Sequence, residues 1–141
     1  MRTLGVDLGS KRIGLALSDR EGRIASPLLV VSRKGGAADL REVARIARDY
    51  EAEAVVVGLP VSLRGQHAEA VQAAESEIAA LREMMVVPVT VWDERLTTVV
   101  ARRGLAEGGL DSRQQRGVVD KVAAAVMLQS YLDHRRQHDG P

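Results

Sequence analysis

One short segment constrains the fold more than any other. Residues Ala54–Leu59 read AVVVGL, a continuous apolar run that Pro60 ends, and residues 86–92 form a second such run. Strands that are buried on both faces of a sheet read as continuous apolar runs rather than as alternating ones. Residues 68–83, between the two runs, place apolar side chains at helical spacing. This order predicts parallel strands, joined by a right-handed helical crossover and covered by helices on both faces.

The first third of the chain has a different pattern. Thr3–Leu8 and Arg12–Ser18 are separated by only three residues, Gly9-Ser10-Lys11, and residues 24–31 form a third apolar segment. In the second segment every other residue is a large apolar one, which is the period of a strand. Three strands with short connections predict an antiparallel meander.

Helical spacing accounts for most of the remainder. It recurs in Leu40, Val43, Ala44, Ala47 and Tyr50, and further helices are predicted for residues 95–106, which Gly108-Gly109 follows, and 116–134. The predicted fold is therefore α/β, with a mixed five-stranded sheet of three antiparallel strands and then two parallel ones, flanked by helices. This order is expected of an RNase H-like fold, and other α/β folds share it.

Length and composition narrow the possibilities. A chain of 141 residues favours one domain with a real core, and the absence of Cys excludes disulfides and thiolate metal sites. The first residues lack the apolar region of a signal peptide, and no apolar run reaches the length of a membrane span. We therefore expect a cytoplasmic protein with no membrane partner.

Charge is distributed unevenly although the net charge is only +1. Residues 1–34 carry a net charge of +4, residues 39–83 one of −4, and residues 102–136 one of +3. If the two basic ends meet, they form a surface suited to phosphate; the alternative is a set of solvated helix faces. The aromatic residues are only Trp92, Tyr50 and Tyr131, so we expect nucleic acid to be held by its backbone rather than by stacked bases.

Asp7 is the first candidate for chemistry. It shares one face of its predicted strand with Thr3 and Gly5, and small residues around it leave the carboxylate an open approach. A carboxylate in a buried strand needs something to pair with it. A metal ion is one such partner, and Lys11 or Arg12 is the alternative.

Two further acids complete the candidate site. Glu94 follows the second apolar strand, and functional groups collect at the carboxyl ends of parallel strands; the alternative is a place in the first turn of the next helix, which Asp93 is predicted to cap. Asp120 lies near the start of the last predicted helix, on the face of Ala124, Met127 and Tyr131. Its alternative role is to complement the helix dipole.

A cluster of carboxylates repels itself unless cations neutralise it, and hard oxygen ligands favour Mg²⁺ or Mn²⁺. Two such ions about 4 Å apart activate water and stabilise the leaving oxygen in phosphodiester hydrolysis. The acids therefore predict a metal-dependent endonuclease in which Asp7, Glu94 and Asp120 are both catalytic and metal-binding. Two other classes stay open: a nucleotide- or phosphate-binding module, which Asp-Leu-Gly-Ser before a hairpin resembles, and a nucleic-acid-binding domain without catalysis.

Four motifs in this order resemble the YqgF/RuvX family: GVDLGSKRIG at residues 5–14, GLP at 58–60, DERLTT at 93–98 and VDKVAA at 119–124. The resemblance implies an RNase H-like fold and the same three acids. Members are described as Holliday junction resolvases or as nucleases that mature the 5′ end of pre-16S rRNA. One departure is Arg64, which stands where the family usually has an acidic or amide residue.

A set of basic residues then resembles a phosphate-binding surface around these acids: Lys11, Arg12, Arg95, Arg102, Arg103, Arg113 and Arg116. The alternative for each is an ordinary solvated side chain. Residues 107–115 are polar and Gly-rich, so we expect a loop that orders on the substrate.

Precursor rRNA is favoured over a DNA junction because a twofold-symmetric junction needs paired active sites, and the chain shows no dimerisation element. We expect a monomer or a weak homodimer.

Overall fold

The computed structural model describes residues 1–59, 68–93 and 112–139, with side chains described except those of residues 68–71, 112–119 and 138–139. The elements in chain order are β1 (Thr3–Leu8), β2 (Arg12–Ser18), β3 (Ala25–Ser32), α1 (Ala38–Asp49), β4 (Ala54–Leu59), α2 (Ala68–Met84), β5 (Val89–Asp93) and α3 (Ser112–Asp139).

The strands form one sheet in the order β3-β2-β1-β4-β5. The β1–β2 and β2–β3 pairs are antiparallel, whereas β1–β4 and β4–β5 are parallel. The predicted mixed sheet is thereby confirmed. The apolar β4 lies between two parallel neighbours, and β1 lies at the centre, where the antiparallel and parallel halves meet.

The two faces of the sheet bury different layers. On one face, Leu4, Val6 and Val57 pack with α1 and α2 in the larger apolar core. On the other face, Ala16 and Val56 pack against α3. Because successive residues of a strand point to opposite faces, residues 3, 5 and 7 of β1 belong to the α3 side. This alternation determines which helix Asp7 meets.

Two predicted starts are wrong by three residues or more, and the last helix ends at Asp139 rather than at residue 134. Strand β5 begins at Val89 rather than at residue 86. Val86 is 98% exposed, and Pro88 lacks an amide hydrogen and contributes only its carbonyl, which accepts from the Val55 amide at 2.9 Å. Helix α3 begins at Ser112 rather than at residue 116, so the last four residues of the predicted loop 107–115 are helical. Their polar composition hides the start, because it carries no apolar period.

The predicted helix 95–106, residues 107–111 and Arg64 lie outside the described residues. Within the described ranges, no helix has both the length and the apolar character needed to cross a membrane.

Candidate active site

Asp7 is the last residue but one of β1 and is only 7% exposed. Its register partners are Gly14 on β2 and Gly58 on β4. Directly opposed residues on adjacent strands point to the same face of a sheet, and neither glycine carries a side chain. The carboxylate therefore stands on the α3 face with a gap in the row of side chains on each side.

Helix α3 brings Asp120 to this place by an unusually close approach to the sheet. A Cβ atom added to Gly14 would lie 2.2 Å from the Asp120 carbonyl oxygen and 2.7 Å from its carbon. Only glycine permits such proximity of backbones. Because Gly14 is also the register partner of Asp7, the two acids flank one glycine although they are far apart in the sequence.

Arg12 pairs with Asp120, its Nε donating to Oδ2 at 2.5 Å. Both side chains are partly buried, with 28% and 25% exposed. The predicted alternative paired Lys11 or Arg12 with Asp7; for Arg12, the structure gives a contact with Asp120. The bond uses one of the five N–H donors of the guanidinium. It places a positive charge beside the Asp120 carboxylate and offsets part of the cost of burying that charge.

The remaining predicted acids have different outcomes. Asp120 is the ninth residue of α3, so it is not in the first turn and the alternative that made it complement the helix dipole is wrong. Asp93 ends β5 opposite Leu59, at the carboxyl edge of the parallel strands. Glu94, and the helix that Asp93 was predicted to cap, lie outside the described residues.

Of the basic residues, Lys11 is exposed in the loop between β1 and β2. Arg113 and Arg116 belong to the first two turns of α3, the end of the helix nearer to Asp120. Arg95, Arg102 and Arg103 lie outside the described residues. The structure thus places Lys11 and Arg12 in and next to the loop that follows Asp7, and the basic surface around the acids stays a prediction.

The two acids that adjoin Gly14 offer ligands that suit a hard cation. Asp7 and Asp120 offer carboxylate oxygens, the ligands that Mg²⁺ and Mn²⁺ prefer. On the β4 side of Asp7, Gly58 contributes no side chain, whereas on the β2 side the Asp120 backbone packs against Gly14. Within residues 1–59, 68–93 and 112–139, no three acidic or imidazole side chains are close enough to hold a metal ion. These ranges contain two of the three predicted ligands, Asp7 and Asp120, and the third, Glu94, lies outside them.

An aromatic cluster on the same face escaped the sequence analysis. Trp92 is the register partner of Gly58, so it follows Asp7 in the same row. Its ring centroid lies 5.6 Å from that of Tyr131 and 5.1 Å from that of His134. His134, at the end of the predicted helix 116–134, lies within α3 and against the Trp92 indole. The spacing of Tyr131 and His134, three residues apart on a helix, was the available signal.

We expect Gly14→Ala to impair both stability and cleavage, because its methyl group would collide with the Asp120 backbone. Forcing such a group into a packed interface costs about 1–3 kcal/mol. The matched control is Gly5→Ala on β1, at the same interface between the sheet and α3, where a Cβ would meet Leu128 Cβ at 2.9 Å and no candidate acid. Thermal unfolding should show losses in both variants. Cleavage at saturating substrate should fall further in Gly14→Ala; equal falls would mean that the approach at Gly14 serves packing alone.

The fold is that of RuvC-type resolvases. Thermus thermophilus RuvC, solved in complex with a Holliday junction substrate, superposes with a TM-score of 0.62 over 99% of this chain and 96% of RuvC, at 19% identity. The fowlpox virus Holliday junction resolvase gives a TM-score of 0.56 over 95% of this chain and 99% of its own, at 16% identity. Likenesses at these identities define the fold.

A sequence profile of the RuvX family, described as Holliday junction resolvase, matches residues 1–134. A protein of Anaeromyxobacter dehalogenans (strain 2CP-C) is 46% identical over 135 residues, covering 96% of this chain and 98% of the relative. A protein of Geobacillus kaustophilus is 41% identical over 138 residues, covering 96% of this chain and 100% of the relative. Both are named "Putative pre-16S rRNA nuclease". The chain belongs to the RuvX family, which confirms the resemblance seen in its motifs.

Proposed function

We propose that this chain is a divalent-metal-dependent endonuclease, one RNase H-like domain over residues 1–141, that processes the 5′ end of pre-16S rRNA. The observation that carries the proposal is that Asp7 is the register partner of Gly14 and that the backbone of Asp120 packs against the same glycine. Two carboxylates at the carboxyl end of a central strand, with a cationic side chain beside them, form a site for metal and phosphate. Family membership and the names of the relatives support the same reaction class.

Asp7, Glu94 and Asp120 would hold Mg²⁺ or Mn²⁺, two ions in the favoured arrangement. The bound metal supplies a nucleophilic water and neutralises charge on the leaving oxygen. The chain's own residues do the rest. The central strand fixes Asp7, α3 fixes Asp120, and Arg12 holds the Asp120 carboxylate in one orientation. Lys11, exposed at the loop between β1 and β2, neutralises a phosphate beside the scissile bond.

Precursor rRNA is the proposed substrate because the relatives carry that name and because a monomer suffices for one cut. Such a substrate implies a cytoplasmic protein. A Holliday junction is the second candidate, favoured by the description of the family profile. A junction has twofold symmetry and requires two active sites, so this second function predicts a dimer.

The test compares the two substrates side by side. Purified protein is incubated with Mg²⁺ or Mn²⁺ and with either a 5′-extended 16S precursor or a four-way DNA junction. We expect a cut at one 5′ position of the precursor and none without metal. Paired symmetric nicks in the junction alone would favour the second candidate. Binding without cleavage would indicate a non-catalytic domain, and turnover of ATP would indicate a phosphate-binding module.

The basic surface makes a separate prediction. Replacing Arg113 and Arg116 by Ala should weaken binding at low salt and make the slope of log K against log salt shallower by about one to two units, since each lost phosphate contact removes about 0.7–0.9. Saturating substrate should restore most of the cleavage rate. The control replaces Arg41 and Arg48, exposed on α1 at the opposite face of the sheet. Fluorescence anisotropy over a salt series measures the slope; if both double variants keep the wild-type slope, Arg113 and Arg116 are ordinary solvated side chains.

A further inference from the structure

The loop that follows Asp7 is held by an arginine from elsewhere in the chain. Arg33, directly after β3, donates from Nε to the Gly9 carbonyl at 2.8 Å, and its backbone amide donates to the Lys11 carbonyl at 3.0 Å. Its two terminal nitrogens grip both carboxylate oxygens of Glu77 on α2. A single side chain thus joins the β1–β2 loop to a helix on the far face of the sheet.

The loop so held is the short segment between Asp7 and Arg12. Gly9 turns the chain, its amide donating to the Asp7 carbonyl at 3.0 Å, while Ser10 and Lys11 are exposed. Arg12 then pairs with Asp120 on α3. The loop is therefore anchored on its α3 side by one ion pair and on its α2 side by another, with Lys11 between the two anchors.

The turn from which Arg33 extends to Glu77 is held in place by hydrogen bonds of its own. The backbone amides of Lys34 and Gly35 donate to the Asp39 carboxylate at 2.9 and 3.0 Å. The Lys34 amide is the largest cause that holds the pKa of Asp39 below its ordinary value, while burial opposes it. Arg33 therefore projects from a fixed turn. Its side chain is 18% exposed and that of Glu77 is 28% exposed, so solvent competes little for the bidentate pair.

We propose that Arg33, locked by Glu77, is a positioning residue that holds the Gly9–Lys11 loop in the geometry in which it presents a phosphate to the acids. The proposal rests on the nuclease function proposed above and deepens it. The bond from Arg33 Nε to the Gly9 carbonyl does the positioning, and the pair with Glu77 keeps the guanidinium in place. Displacing a positioning group by about 1 Å costs up to about 100-fold in rate.

A charge swap separates this role from plain structural support. In the double variant Arg33→Glu with Glu77→Arg, an ion pair can re-form between the loop end and α2, but a glutamate at residue 33 cannot donate to the Gly9 carbonyl. Two companion variants are needed. Glu77→Gln removes only the charged partner of Arg33, and Arg33→Lys keeps the positive charge but cannot bind Glu77 and the Gly9 carbonyl at the same time. Glu42→Gln is the control, since Glu42 also forms a bidentate pair with an arginine, on the surface of α1.

We expect Glu77→Gln to cut about 10-fold more slowly at saturating substrate, with substrate Kd within twofold of wild type, and Glu42→Gln to cut normally. The charge-swap variant should have a melting temperature close to that of the wild type, but its cleavage rate at saturating substrate should stay low. Recovery of both would overturn the proposal and leave a structural ion pair. If the swap variant does not fold, Arg33→Lys decides: a normal rate overturns the proposal and a slowed one supports it.

Hydrogen exchange of the Gly9 amide reads the loop without any cleavage assay. We expect this amide to exchange at least tenfold faster in Glu77→Gln than in wild type or Glu42→Gln. Unchanged exchange would overturn the claim that Arg33 and Glu77 hold the loop. A wild-type protein that cuts nothing would instead overturn the nuclease function, and Gly9 exchange would still decide whether the loop is held.

Discussion

Asp7→Asn should bind nucleic acid at least as tightly as the wild type and cut it about 1000-fold more slowly or not at all. Asparagine keeps the shape of the side chain but removes a charged oxygen ligand. Metal-based stabilisation of the transition state supplies several kcal/mol, and each 1.36 kcal/mol corresponds to a factor of ten in rate. Binding survives because the substitution also removes a negative charge close to phosphate.

Single-turnover cleavage at saturating substrate and anisotropy at matched salt measure the two effects of Asp7→Asn. The control is Asp19→Asn in the turn between β2 and β3, where the carboxylate accepts from the amides of Arg23 and Ile24. This turn lies at the opposite end of the strands, so the control should cut normally. A normal rate in Asp7→Asn would remove Asp7 from the reaction.

Asp120→Asn should produce a comparable loss of rate for a related reason. The substitution removes the second carboxylate beside Gly14 and loosens Arg12, whose Nε donates to it. Because the defect concerns the reacting site rather than affinity, saturating substrate should not restore the rate. The slope of log K against log salt should stay close to that of the wild type, unlike the expected slope of the Arg113 and Arg116 double variant.

The matched control for Asp120→Asn lies on the same helix. Asp133 pairs with Arg136 three residues further on, and its side chain is about half exposed. Asp133→Asn therefore changes one charge of α3 far from Gly14 and should leave the cleavage rate unchanged. If the two variants lose rate equally, the effect belongs to the helix as a whole and Asp120 has no special place in it.

Local sequence signals predicted the sheet well and the helix start poorly. The apolar run of β4 predicts burial on both faces, and Val55, Val56 and Val57 are fully buried between the two helical layers. The alternation in β2 predicts a strand, and its short connection to β1 predicts the antiparallel pairing, which the structure confirms. The polar first turn of α3 carries no such period, so its start at Ser112 was missed. That error alone produced the idea that Asp120 complements the helix dipole.

The residue types of the candidate site could be proposed from the sequence, whereas the contacts between them could not. Asp7 and Asp120 are conspicuous because each is a carboxylate among apolar neighbours. Their meeting depends on Gly14, which is the register partner of one and touches the backbone of the other. The Arg33–Glu77 pair has no sequence signal either, because it joins two segments that only the crossover brings together. Register and helix approach are long-range properties that no local window contains.

The most direct test of the account measures metal rather than cleavage. Mn²⁺ is titrated into wild type, Asp7→Asn, Asp120→Asn and the Asp133→Asn control, and the free-ion electron paramagnetic resonance signal is followed. The account predicts saturable binding by wild type and by the control, with affinity at least about tenfold weaker in the two site variants, since each loses a charged ligand. Binding of Mn²⁺ that is equally tight in all four proteins would contradict a metal site between Asp7 and Asp120.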